Sequence, residues 1–176
     1  MVRFVPNATI KPLEPMMTTC IELARKAASS GNYALGALVA HGSQIIAESS
    51  SSLIQDDNDP SAHPEMMAIR AASRELGSRY LQGMILYSTL EPCPMCVSAA
   101  IWAKMDGVVF GATQQDAIDW AQHNPNGIYT WRQIRISAQY VVSAGDPLLK
   151  VQGGVLRAEC QGLFALSGAA GRSHRI

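Results

Sequence analysis

The alternation of strand-like and helix-like segments between residues 37 and 111 is the feature that most constrains the fold. Two apolar runs, residues 37–40 and 44–47, flank a short His-Gly-Ser turn and predict an antiparallel hairpin. The next strand-like runs, residues 84–90 and 107–111, are each preceded by a helical pattern. Strand, helix, strand, helix and strand in this order predict an α/β fold, with a mixed sheet and helices on its faces in three layers.

Prolines and glycines mark the predicted helix boundaries. Apolar residues recur at intervals of three and four over residues 14–29, and Gly31 follows as a helix-ending signal. Pro64 and Pro94 each suit the first turn of a helix, because proline lacks only an N–H that would be unpaired there. The helix that begins at Pro64 is predicted to end at Gly77.

The pattern weakens beyond Gly111, and the flanking segments carry few structural signals. We expect the whole chain, residues 1–176, to form one domain, because 176 residues suffice for a single core. The remaining predicted segments are an extended arm (1–13), a loop (49–61), a short helix (116–121), a loop (123–127), a helix (129–134), a strand (139–143), a helix (155–166) and a flexible tail (167–176).

The charge balance of the chain disfavours a long nucleic acid as its partner without excluding one. Fourteen basic residues offset fourteen acidic residues, so there is no net positive field to attract phosphates. The sequence also lacks a run of about 18 apolar residues and a signal-peptide pattern at its start, so we expect no membrane span and no export. Four cysteines are too few for a disulfide framework, which favours the reducing cytoplasm.

Two short motifs carry the chemistry of the sequence. His63-Pro64-Glu65 precedes a Cys93-x-x-Cys96 pair by about thirty residues. A catalytic zinc ion takes three protein ligands from imidazole and thiolate groups and leaves a fourth position for water. His63, Cys93 and Cys96 meet that count, and Glu65 is placed to reach the metal-bound water without being a ligand.

Other interpretations of the Cys-x-x-Cys motif remain open from the residues alone. The pair could be redox-active or form half of a structural zinc site. A structural site would need a fourth protein ligand, but Cys20 and Cys160 lie in apolar helical patterns and are expected to pack in the core. His41 in a tight turn and His174 near the end of the sequence are expected to be solvated.

At these motifs the chain resembles the cytidine deaminase-like superfamily, in the branch of guanine, cytosine and tRNA adenosine deaminases. Residues 58–65 (Asn-Asp-Pro-Ser-Ala-His-Pro-Glu) and 89–96 (Thr-Leu-Glu-Pro-Cys-Pro-Met-Cys) carry the resemblance, and H-x-E followed by P-C-x-x-C is the known signature of zinc deaminases of nucleobases. The resemblance implies a three-layer α/β/α sandwich around a five-stranded mixed sheet. It also implies one catalytic zinc ion per chain and, frequently, a homodimer.

The same resemblance implies the roles of individual residues. His63, Cys93 and Cys96 take the metal-ligand roles, and Glu65 is the catalytic proton shuttle. Ser52 stands near the place where relatives carry a substrate-binding asparagine, and Asp116 and Asp119 are candidates for an acidic residue that grips a purine. The full set of expected substrate-binding residues is Ser52, Ala62, Pro64, Glu91, Pro92, Asp119 and Asn124.

The expected reaction is hydrolytic deamination, in which hydroxide attacks the carbon that bears an exocyclic amine and ammonia is released. The favoured substrate is a free nucleobase or a related guanine-, cytosine-, triazine- or pterin-like heterocycle. A tRNA adenosine deaminase is the alternative, for which Arg157, Arg172 and Arg175 are the hint of an RNA-binding surface. A zinc-stabilised scaffold without turnover is a third hypothesis.

Overall fold

Five strands form a single sheet within residues 14–51, 59–124 and 134–168, which are the residues that the computed structural model describes. The sheet has the strand order β2-β1-β3-β4-β5. The strands are β1 (Gly36–His41), β2 (Gln44–Ser50), β3 (Ile85–Leu90), β4 (Gly107–Ala112) and β5 (Lys150–Gln152).

The sheet is mixed, as the sequence predicts. Strand β1 runs antiparallel to both β2 and β3, whereas β3, β4 and β5 are parallel to one another. Parallel neighbours need a crossover connection, and a helix supplies it between β3 and β4. The central strand β3 therefore ends beside β4 at the same edge of the sheet, where the second metal motif follows it.

Helices cover both faces of the sheet, which confirms the predicted three layers. The helices are α1 (Glu14–Ser29), α2 (Pro64–Glu75), α3 (Pro94–Trp102), α4 (Gln114–His123), α5 (Ala138–Ser143) and α6 (Arg157–Gly162), and a 3₁₀ helix follows at Phe164–Gly168. One apolar cluster joins α1, α4 and α6 to the first face, and a second joins α2, α3 and α5 to the other. No helix in the described part of the chain has both the length and the apolar character needed to cross a bilayer.

Alternating side chains of the strands feed these two clusters. Leu38 and Tyr87 face each other across β1 and β3 and point towards α1, whereas the next pair, Val39 and Leu86, points towards α2 and α3. All four are almost fully buried, and burying each such side chain contributes roughly 1.5–3 kcal/mol to stability. Gly36 lets α1 approach β1 closely, because a Cβ there would collide with the Cys20 carbonyl oxygen.

The predicted strand at residues 139–143 is wrong, because this segment forms helix α5. Ser137 caps the helix by accepting a hydrogen bond from the Tyr140 N–H, and this cap outweighs the strand propensity of the adjacent valines. The fifth strand is instead Lys150–Gln152. Three residues are too few to show an alternating pattern in the sequence.

Smaller differences concern the ends of elements. Strand β2 continues to Ser50, inside the predicted loop, and the predicted final helix begins only at Arg157 and gives way to the 3₁₀ helix. Ser167, the predicted start of the tail, is buried and accepts a hydrogen bond from the Ala34 N–H at 3.0 Å. The predicted arm at 1–13, most of the predicted helix at 129–134 and the end of the tail lie outside the described residues.

Candidate functional site

The two metal motifs occupy the first residues of neighbouring helices. His63 is the N-cap residue of α2 and Cys93 is the N-cap residue of α3, and both have extended backbone angles. A proline follows each of them, which suits the first helical position. Neither side chain caps its own helix, so the imidazole and the thiol are available to a shared ligand.

The donor atoms of His63, Cys93 and Cys96 have the spacing that a zinc ion requires. The Sγ atoms of Cys93 and Cys96 lie 3.6 Å apart, and each lies 3.6 Å from Nδ1 of His63. Tetrahedral zinc with ordinary Zn–S and Zn–N bonds would separate such atoms by about 3.6–3.8 Å. In the described part of the chain, these three residues form the group of His, Cys, Asp and Glu donors that could share one ion.

The electrostatic surroundings favour a thiolate at Cys93. Hydrogen bonding with Cys96, followed by that with His63, lowers the pKa of Cys93 to about 4. The same contact with Cys93 raises the pKa of His63 above its usual range. Because thiolate is the form of cysteine that binds metals, the start of α3 offers a ready ligand.

Glu65 lies beside the donor group, in the first turn of α2. Its side chain is 7% exposed, and burial raises the pKa of the carboxyl above its ordinary value. The Oε2 atom lies 3.6 Å from Sγ of Cys96, and the Oε1 atom accepts a hydrogen bond of 2.7 Å from the Ser88 hydroxyl. A buried carboxyl group with a raised pKa therefore lies next to the three possible metal donors.

The turn before His63 is fixed by Asp59. Its Oδ1 atom accepts hydrogen bonds from the N–H and the hydroxyl of Ser61, at 2.8 and 2.7 Å. The Ala62 N–H donates to the Asp59 carbonyl oxygen, and the His63 N–H donates to the Ser61 carbonyl oxygen. These local bonds hold the chain in the bend that delivers His63 to the start of α2.

Glu91 has a structural role behind the site. It is 8% exposed, and its two carboxylate oxygens accept hydrogen bonds from the Gln114 N–H at 3.0 Å and the Ala138 N–H at 2.8 Å. These N–H groups belong to the first residues of α4 and α5. Glu91 therefore joins the starts of both helices to the end of β3. A contact between Glu91 and substrate stays a prediction.

The remaining predicted substrate-binding residues divide into buried and exposed groups. Ala62, Pro64 and Pro92 are almost fully buried beside the metal ligands. Asp119 and Asn124 are exposed on α4 and its end, where they bond with Gln115 and with the Trp120 carbonyl oxygen, respectively. Ser52 lies outside the described residues. The structure thus brings the first group to the metal motifs, and the substrate contacts of both groups stay predictions.

Two polar contacts were not anticipated from the sequence. The sequence predicts Ser88 only as part of a strand, although a polar residue within the apolar run of β3 is a signal that it has a buried partner. Asp116, a candidate for gripping a purine, forms a capping box with Thr113 and a paired hydrogen bond with Arg157 at 2.7 and 2.9 Å. It therefore joins α4 to α6.

The other cysteines behave as the sequence predicts. Cys20 and Cys160 are buried in the apolar cluster beneath α1, and all four cysteines are free thiols. Burial raises the pKa of both Cys20 and Cys160, so neither is a reactive thiolate.

Comparisons with known proteins agree with this geometry. Residues 10–112 match the sequence model of the cytidine and deoxycytidylate deaminase zinc-binding region. The chain is 36% identical over 99 residues to the tRNA-specific adenosine deaminase of Aquifex aeolicus (strain VF5), covering 56% of this chain and 65% of that protein. It is also 36% identical over 107 residues to the guanine deaminase of Bacillus subtilis (strain 168), covering 60% and 68%.

A solved structure shows the same fold. The structure of a guanine deaminase from Nitrosomonas europaea superposes with a TM-score of 0.75 and 21% identity, covering 92% of this chain and 87% of that one. The family match extends over both metal motifs, from before α1 to the end of β4. The chain therefore belongs to the family defined by the cytidine and deoxycytidylate deaminase zinc-binding region.

Proposed function

We propose that this chain binds one zinc ion and catalyses the hydrolytic deamination of a nucleobase-like heterocycle, with release of ammonia. The observation that carries the proposal is the position of Glu65, a buried carboxyl group beside three metal donors. A structural zinc ion is normally held by four protein ligands and has no use for an adjacent acid. This argues against a scaffold without turnover.

Each residue of the site has a defined task in this reaction. Zinc held by His63, Cys93 and Cys96 would lower the pKa of a coordinated water and so supply a nucleophile at neutral pH. Glu65 accepts the proton that the attacking water releases. It passes that proton to the ring nitrogen. It then takes the second proton of the attacking water and passes it to the departing amine, so that the C–N bond breaks and the products are a ring carbonyl compound and ammonia.

The proposed substrate is a free base or a similar small heterocycle, as in guanine-, cytosine-, triazine- or pterin-like rings. The chain has no excess of basic residues with which to collect a polynucleotide. Arg157, one of the three arginines that hinted at RNA, is already paired with both oxygens of Asp116. Arg172 and Arg175 lie outside the described residues.

The second candidate is deamination of adenosine in tRNA. It is favoured by the 36% identity to the tRNA-specific enzyme of Aquifex aeolicus. Since the chain spans 65% of that relative, features of the rest of that protein do not carry over directly. The chemistry at His63, Glu65, Cys93 and Cys96 would be the same for both candidates.

Ammonia release from a panel of amino-heterocycles, run beside an assay for inosine in tRNA, tests the proposal. Zinc-loaded protein is expected to release ammonia from at least one free base, to lose that activity with a chelator and to regain it with zinc. Inosine formation without activity on any free base would identify tRNA, and not a free base, as the substrate. Absence of both activities in protein with one zinc per chain would contradict a deaminase function.

We also propose that the protein is a homodimer and that it is located in the cytoplasm. Helix α3 has no charged residue from Pro94 to Trp102, and Trp102 at its end is 82% exposed. An exposed apolar helix face of this kind suits burial against a second copy. Light scattering should give twice the chain mass and Trp102→Glu should give the monomer, whereas a monomeric parent protein would contradict the dimer. The proposal of a cytoplasmic setting is supported by the four free thiols, which are typical of proteins in a reducing compartment.

A further inference from the structure

Ser88, on the sheet beneath α2, contacts the carboxyl group of Glu65. It lies on the central strand β3, is 2% exposed and pairs with Ala37 of β1. Its hydroxyl donates a hydrogen bond of 2.7 Å to Oε1 of Glu65. Because strand β3 is hydrogen-bonded to neighbours on both sides, this donor has a rigid base.

The two oxygen atoms of Glu65 thus have different neighbours. Oε1 is engaged by Ser88, whereas Oε2 lies 3.6 Å from Sγ of Cys96, on the side of the metal donors. An ionised carboxylate accepts hydrogen bonds at both oxygens, and a carboxylic acid protonated at Oε2 still accepts at Oε1. The bond from Ser88 can therefore persist before and after Glu65 takes up a proton.

We propose that Ser88 is a positioning residue, which holds the Glu65 carboxyl group with Oε2 directed towards the donor atoms of His63, Cys93 and Cys96. The inference rests on the proposed deaminase function and adds to it a residue outside both metal motifs. Ser88 itself exchanges no proton with water or substrate. Its contribution is to remove the rotation of the carboxyl group that would carry Oε2 away from the reacting atoms.

A matched pair of variants tests the role of the hydroxyl. Ser88→Thr keeps the hydroxyl, and Ser88→Val has nearly the same shape without it. Loss of a hydrogen bond to a charged group should lower kcat of Ser88→Val by about tenfold or more, with KM changed less than about twofold. Ser88→Thr should keep kcat within about threefold of the parent protein, because its hydroxyl restores the bond. Equal kcat in the two variants, when both are folded, would overturn the proposal.

Smaller and neighbouring substitutions separate this role from a general effect on folding. Ser88→Ala adds no volume and should show the same loss of kcat even if Thr and Val do not fit. Thr89→Val removes the acceptor of the Gly36 N–H without touching Glu65, and should lower the melting temperature but leave kcat unchanged. Parental kcat in folded Ser88→Ala would contradict the inference.

Crystal structures of the zinc-loaded variants give a readout that does not depend on turnover. Glu65 should keep its position in Ser88→Thr, and its carboxylate should rotate or move by more than about 0.5 Å in Ser88→Ala. An unmoved carboxylate in Ser88→Ala would overturn the inference. If Glu65→Gln is inactive while Ser88→Ala is fully active, this inference fails and the proposed function stands; if Glu65→Gln is fully active, the proposed function itself fails.

Discussion

The metal-site region, residues 59–102, and the C-terminal region, residues 134–168, are organised in different ways. In the metal-site region, local turns and helix starts bring His63, Cys93 and Cys96 together. The C-terminal region is instead attached through contacts between distant residues: Glu91 with Ala138, Asp116 with Arg157, and Ala34 with Ser167. The metal donors thus come from short motifs, whereas the C-terminal region is held by contacts between distant residues, both buried polar groups and the apolar residues of the two core clusters.

The largest expected effect comes from Cys96→Ala in the metal-site region. Removal of one of three ligands should abolish stoichiometric zinc binding and reduce turnover to background. Metal analysis and ammonia release check this. Cys20→Ala is the matched control, since Cys20 is equally buried but lies on the inner face of α1, in the first apolar cluster. Zinc loss in the control as well would show that burial of the thiol, and not ligation, is the cause.

The next effect concerns stability and comes from Glu91→Ala. Two buried N–H groups, of Gln114 and Ala138, would lose their acceptor, and the free energy of unfolding should fall by about 2–4 kcal/mol. Denaturant unfolding measures this difference. Glu75→Ala removes an exposed carboxylate from the end of α2 and should change stability by less than about 0.5 kcal/mol. Similar losses of stability in both variants would contradict the role of Glu91 in attaching the C-terminal region.

A smaller effect should appear at acid pH through Asp116. The hydrogen bonds from Arg157 hold the pKa of this carboxyl well below its usual range. A group with a lowered folded-state pKa stabilises the fold fully above the ordinary aspartate pKa of about 4, and this stabilisation is lost as the pH falls through the folded-state pKa. Because Arg157 is half exposed and water partly screens the pair, the expected loss in the free energy of unfolding is about 1 kcal/mol.

Asp116→Asn checks the acid effect. The variant should be less stable than the parent protein at pH 7 and should lose less stability than the parent between about pH 4 and pH 2. Thermal melts over this range measure the difference. Parallel stability curves for the two proteins would mean that Asp116 is not the group that responds.

The smallest expected effect comes from Arg70→Ala beside the metal loop. The Nη1 atom of Arg70 lies 3.7 Å from Oδ2 of Asp59, and both side chains are about 40% exposed. Such an exposed pair contributes little to stability, because water screens it. Zinc content and melting temperature should stay close to parental values. Loss of zinc in this variant would mean that the ion pair, and not the hydrogen bonds between Asp59 and Ser61, fixes the loop.

The same contrast explains which parts of the molecule the sequence predicts. Pro64 and Pro94 mark helix starts through local backbone chemistry, so the metal motifs and the strands around them follow from short patterns. Helix α5 cannot be predicted from a short pattern, because its valines favour a strand and its first N–H bonds to Glu91, 47 residues earlier. Strand β5 is too short for periodicity, and the partner of Ser88 becomes visible only when α2 crosses β3.

The most direct test of the account is the Glu65→Gln variant, with zinc content and turnover measured on one preparation. Glutamine keeps the shape of the side chain and a donor–acceptor group for Ser88, but it cannot accept and release the proton. We expect about one zinc ion per chain and a loss of turnover of about a thousandfold, within the range for general acid–base catalysis. Turnover at the parental rate with zinc bound would contradict the assignment of Glu65 as the proton shuttle.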